Sequence, residues 1–126
     1  MILVFGGAYQ GKLDFAVNLN DGKAEDVARL NESEQIIDFS KTVIYGLEDF
    51  VLGCTKAGIE AKEYLMQHED EFANCIFVGT DVSQGLVPMD ATERAFREMM
   101  GRTMLYLAAR ADSVYRVFCG LGTKIK

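Results

Sequence analysis

The opening stretch MILVFGGAYQGKL commits the chain to a strand, a glycine turn and a helix, in that order. Met1 to Phe5 are apolar without a break and are closed by two glycines, which suits a short strand buried on both faces. Beyond Gly11 the apolar residues Leu13, Phe15, Ala16 and Leu19 carry a helical pattern. Gly6, four further residues and then Gly11-Lys12 have the spacing of a phosphate-binding loop, and the strand before and helix after are the context such a loop requires. In that reading Gly6, Gly7, Ala8, Tyr9, Gln10, Gly11, Lys12 and Leu13 form the nucleotide-binding segment. Backbone N–H groups would turn toward phosphate oxygens, the helix would add its positive end, and Lys12 would reach the outer phosphates. The alternative is a plain strand-to-helix turn with a surface lysine.

Leu13 stands where a phosphate loop has Ser or Thr. The hydroxyl normally binds magnesium between the outer phosphates, and an isobutyl group offers a hard cation no oxygen. Metal positioning at this loop is therefore expected to be weakened or lost.

With 126 residues, 49% of them hydrophobic, the chain suits a single domain, residues 1–126, with one core. A formal charge of -6 disfavours nucleic acid and anionic membrane surfaces as partners. No apolar run is long enough to span a membrane, and the opening run lacks the basic region of a signal peptide, so a soluble, cytoplasmic protein is expected. Cys54, Cys75 and Cys119 form no CxxC pair and read as reduced thiols rather than a metal site.

The polar stretch from Asn20 to Gln35 reads as a connection with at most one short strand. IIDF, residues 36–39, reads as a second buried strand. From Ser40 the apolar positions Val43, Leu47, Phe50, Val51, Cys54, Ala61 and Leu65 predict a long helix, or a pair broken near Gly53 or Gly58, reaching about His68. CIFVGTD predicts a third strand. Asp90 and Glu93 have capping-box spacing ahead of a helix whose core face carries Phe96, Met100, Met104 and Leu107. SVYRVFCG predicts a fourth strand, followed by a short tail.

Strands alternating with helices imply parallel pairing through right-handed crossovers, hence an α/β fold: a phosphate-loop NTPase-like three-layer sandwich with a mostly parallel sheet. Ligands bind such sheets beyond the carboxyl ends of the strands. The loop, Asp38 at the end of IID and Asp81 at the end of FVGTD are then expected on one rim. Asp38 is the candidate magnesium ligand, with a cap or turn aspartate as the alternative, and Asp81 is open to the same two readings. His68, alone among acidic residues, reads as a polar surface residue. Met99, Met100 and Met104 read as core packing.

The chain resembles the adenosylcobinamide kinase and adenosylcobinamide-phosphate guanylyltransferase family of cobalamin biosynthesis. MILVFGGAYQGK is similar to that family's opening, FVGTDVSQGLVP to its strand, acidic residue and glycine-valine-proline turn, and FREMMGRTMLYLAARADSVYRVFCGLGTKIK to its closing helix, strand and tail. The resemblance implies a trimeric enzyme that phosphorylates cobinamide with ATP or GTP and then transfers GMP through a guanylylated histidine. Carried over, Gly6 to Lys12 would bind the triphosphate, Asp38 would help hold magnesium, and Asp81 would fill the acidic position before the glycine turn. Lys12, Asp38 and Asp81 are the catalytic candidates, with a corrinoid as acceptor.

Three departures bear on activity. Leu13 replaces Ser or Thr, no histidine lies between Leu19 and Ile36 where the family carries its guanylylated residue, and Met104 stands where the family has asparagine. His68 lies beyond the IIDF segment and does not match the guanylylated residue. The sequence thus leaves three readings: a kinase without the guanylyltransferase step, a catalytically degenerate nucleotide- or anion-binding regulatory protein, and a fold remnant whose loop is only a turn.

Overall fold

The computed structural model describes residues 1–82 and 90–126. Its centre is β1 (Ile2–Gly6), hydrogen-bonded in parallel to β4 (Ile76–Thr80) on one side and β5 (Ser113–Phe118) on the other. β3 (Val43–Tyr45) and β2 (Val27–Arg29) extend the sheet beyond β4, and β6 (Leu121–Lys124) closes the opposite edge antiparallel to β5. The order β2-β3-β4-β1-β5-β6 gives the expected α/β architecture, a mostly parallel sheet between helical layers.

The two faces are covered unequally. One packs α2 (Leu47–Ala57), α3 (Ala61–Gln67) and α4 (Ala91–Arg110) over Leu3, Ile44, Phe77 and Val114. The other carries α1 (Lys12–Leu19), whose Ala16 sits on Val4, Val43, Val78 and Val117. β1 and β4 are buried from both sides, which explains their unbroken apolar sequences.

Local sequence accounts for most boundaries. Asp90 caps α4 by accepting the Glu93 amide at 2.7 Å, as the spacing predicts. The helical region breaks after Ala57 because Gly58 takes a left-handed φ of 72°, and the Ile59 amide returns to the Cys54 carbonyl. The one short strand allowed in the polar connection is β2. Met99 and Met100 are buried, while Met104 packs only partly against the core.

Three expectations are corrected. IIDF is not a strand: Ile36 is exposed, and the Ile37 amide donates to the Tyr64 hydroxyl at 3.0 Å instead of joining a ladder. The strand lies seven residues later, where Val43 and Ile44 mimic a helical start because each is buried on a different face of the sheet. Gly46, at φ 92°, then turns the chain into α2, so that helix begins at Leu47 and not near Ser40. The closing LGTKIK segment is likewise more than a tail, since Leu121–Lys124 pairs as β6. The glycine-valine-proline turn falls within residues 83–89, outside the described residues.

Phe50 is fully buried where α2 meets the sheet, with its ring 5.3 Å from that of Tyr64. Phe50→Ala is expected to cost about 3–5 kcal/mol of unfolding free energy in a denaturant titration. Leu105→Ala, at a side chain 75% exposed, should change it by no more than about 0.5 kcal/mol.

Candidate functional site

The carboxyl ends of β1, β4 and β5 finish level with one another, because Gly6 pairs with both Thr80 and Val117. Gly6 has no alternative at this point: a Cβ there would lie 2.4 Å from the Val117 carbonyl oxygen. The Asp81 amide donates to the Gly6 carbonyl at 2.8 Å, tying the residue after β4 to the residue that opens the loop.

The loop turns through two left-handed residues, Tyr9 at φ 60° and Gly11 at φ 85°, and Gly11 caps α1. Tyr9 is fully exposed at the tip. Lys12 is buried, and its ammonium folds back to donate to the Gly7 carbonyl at 2.7 Å. Burial pulls its pKa below the ordinary lysine value, and the Glu48 carboxylate pushes it back up. Leu13 packs partly against the α1-side core. The leucine that breaks the phosphate-loop pattern therefore serves packing where the hydroxyl would serve a metal.

A cavity of about 440 Å³ lies over this loop, bounded by residues 8–14 together with Tyr45, Glu48 and Thr80. Sequence reasoning missed Glu48. It sits in the first turn of α2, and its two carboxylate oxygens accept from the Thr80 amide at 3.0 Å and the Thr80 hydroxyl at 3.2 Å. The signal that could have found it is the Gly46 turn after a β-branched strand, which brings the next residues to the same rim as the loop.

Asp38 is not on that rim. It precedes the amino end of β3, in a turn where its carboxylate accepts from the Ser40 amide at 3.0 Å, and the Ser40 hydroxyl and amide hold its pKa below the usual range. The neighbouring Phe39 carbonyl lies beside Cys75, which precedes β4. Asp38 thus occupies the edge opposite the loop, and the alternative of a turn aspartate describes it. His68 is at that same far edge, half-buried, with its ring stacked near Tyr64 and Phe39 and bonded to Glu71. Asp81 does stand at the rim, as expected, and lines the mouth of a second cleft.

That cleft, about 390 Å³, runs between α4 and strands β1 and β5. Its walls are apolar, with Leu3, Phe5, Met100, Met104 and Ala108 among them, while Asp81, Thr80 and Arg97 mark a polar end. Thr80 borders both cavities. Met104 therefore makes apolar a wall on which asparagine would have placed an amide.

The loop is also fastened from the far end of the sequence. Cys119 and Gly120 form the two-residue turn between β5 and β6, with φ of 52° and 75°, the positive pair that a type I′ hairpin needs. The Cys119 amide donates to the Gln10 side-chain oxygen at 2.8 Å, and the Gly120 amide to the Gln10 carbonyl at 2.7 Å. Gln10→Ala should leave the fold intact, at a cost of about 0.5–1.5 kcal/mol, while amide exchange at Cys119 accelerates and that of β1 and β4 does not. Unchanged protection at Cys119 would show that the side-chain contact is not made in solution.

Among the described residues no group of three or more His, Cys, Asp or Glu side chains could hold a metal ion, and no helix is long and apolar enough to cross a membrane.

Comparison with known proteins bears on the family of the chain. The bifunctional adenosylcobalamin biosynthesis protein CobU of Salmonella typhimurium is 43% identical over 54 residues, and that of Escherichia coli 41% over 54 residues. The matched segment is 43% of this chain and 30% of each relative, so the chain aligns with less than a third of their length. The model of the CobU family, cobinamide kinase / cobinamide phosphate guanyltransferase, matches residues 42–125. Spanning β3 to the end of the sheet, that match shows that the chain belongs to the CobU family.

Proposed function

We propose that the chain binds a nucleoside triphosphate at the Gly6–Leu13 loop and transfers its terminal phosphoryl group to an alcohol held in the adjoining apolar cleft, a corrinoid alcohol on the strength of family membership. The observation that carries this reading is the buried Lys12, folded onto the Gly7 carbonyl inside a left-handed glycine turn at the carboxyl edge of the sheet. A lysine serving only a surface turn has no reason to bury its ammonium, since desolvation costs free energy that a ligand's negative charge would offset.

In this mechanism Lys12 draws charge from the outer phosphates, and the loop amides hold them in line. Asp81 lines the apolar cleft next to Thr80, which borders both cavities, and accepts the proton of the acceptor hydroxyl as the new O–P bond forms and the bond to the nucleotide's leaving oxygen breaks. Asp38 has no part in it. Such catalysis is mostly positioning and charge stabilisation. The guanylyl transfer named for the family is not assigned to this chain, because no histidine lies between Leu19 and Ile36 and His68 sits at the far edge. The trimeric state that the resemblance implies belongs to the same proposal, to be checked by light scattering.

A second reading, a protein that binds nucleotide without chemistry, is favoured by Leu13 and by the short polar stretch between Leu19 and Ile36. Calorimetric titration with ATP and with GTP, each with magnesium, separates the cases. Lys12→Ala should weaken binding by about ten- to a hundredfold, the loss of one charge-assisted hydrogen bond. Incubation with cobinamide should add one phosphate by mass spectrometry, and Asp81→Asn should abolish that gain while leaving nucleotide affinity in place. Binding without phosphorylation would establish the second reading. No binding of either nucleotide by folded protein would overturn both.

A further inference from the structure

The loop cavity has an unusual charge balance for an anion site: two carboxylates, Asp14 and Glu48, line it against one ammonium, Lys12. Asp14 is an exposed residue of the first turn of α1 and can swing into solvent. Glu48 cannot, because Thr80 holds both of its oxygens. An incoming polyphosphate would meet a fixed negative charge beside the lysine meant to receive it.

We infer that Glu48 makes phosphate binding conditional on a divalent cation, and that this carboxylate, not a loop hydroxyl or Asp38, is the protein's ligand to that cation. The inference rests on the loop binding phosphates as proposed above. The donor chemistry fits: magnesium takes oxygen ligands, keeps several waters, and is commonly held by one or two carboxylates together with substrate phosphates rather than by an all-protein cage. Leu13 supplies no oxygen. Each Glu48 oxygen accepts one hydrogen bond from Thr80 and retains acceptor capacity toward a cation. Anchoring on the end of β4 fixes the carboxylate, so the cation's place is set before the nucleotide arrives. Without the cation, Glu48 repels the phosphates; with it, the same charge holds them.

The test is calorimetry with ATP and, to remove any contribution of the base, with inorganic pyrophosphate, each in magnesium and in chelator. Wild-type affinity should rise about tenfold or more with magnesium, a difference of about 1.4 kcal/mol. Glu48→Gln is close to isosteric and can keep the contact with the Thr80 amide. It should bind several-fold tighter than wild type in chelator and lose most of the response to magnesium, while Asp81→Asn keeps it. Three results would overturn the inference: wild-type binding equal in both conditions, a full magnesium response surviving in Glu48→Gln, or a response lost in Asp81→Asn alone. Absence of any binding by wild type, with or without magnesium, would instead remove the loop reading and this inference together. The wild-type comparison holds even if a variant fails to fold, and thermal melts check that each one does.

Discussion

The site depends on how closely β1 can approach β5 at its last residue. A side chain at Gly6 would drive its Cβ into the Val117 carbonyl, so only glycine lets the central strand stay paired to its final position. Because pairing persists to that point, three chain segments leave the sheet at one height: the loop after Gly6, Asp81 after Thr80, and the hairpin after Phe118. A strand that frayed a residue earlier would deliver the loop without its neighbours.

Much of this arrangement was readable from residues alone. The β1, loop and α1 unit is marked three ways at once, by an apolar run, by glycine spacing and by helical periodicity. Asp90 announces α4, and β4 and β5 are dense apolar runs. The failures share a physical cause. Ile36 and Ile37 look like the centre of a strand, yet one side chain points to solvent and the other's amide is satisfied by a tyrosine hydroxyl. Val43 and Ile44 look like a helix because a strand buried on both faces shows no alternation. Misplacing that strand moved the acidic candidate from Glu48 to Asp38, at the opposite edge. Glu48 itself was invisible because its role comes from Thr80, a contact between residues far apart in sequence.

The thin side of the sheet gives Leu13 its meaning. With α1 packed on Val4, Val43, Val78 and Val117, Leu13, Phe15 and Ala16 are the residues of that short helix that cover the strands. Leu13 adds to that cover at the position where a phosphate loop has a hydroxyl, and a carboxylate, Glu48 on α2, lines the other side of the cavity.

Gln10 and Cys119 are 109 positions apart, so their hydrogen bond closes nearly the whole chain into a ring. Contacts of such separation carry a high closure entropy and are expected late in folding. The loop precedes the β5–β6 hairpin in the chain, and its hydrogen bonds to that hairpin form only once both segments are in place. The final shape of the loop is therefore completed by the β5–β6 hairpin, a unit far from it in the sequence, and not by the strand and helix that flank it.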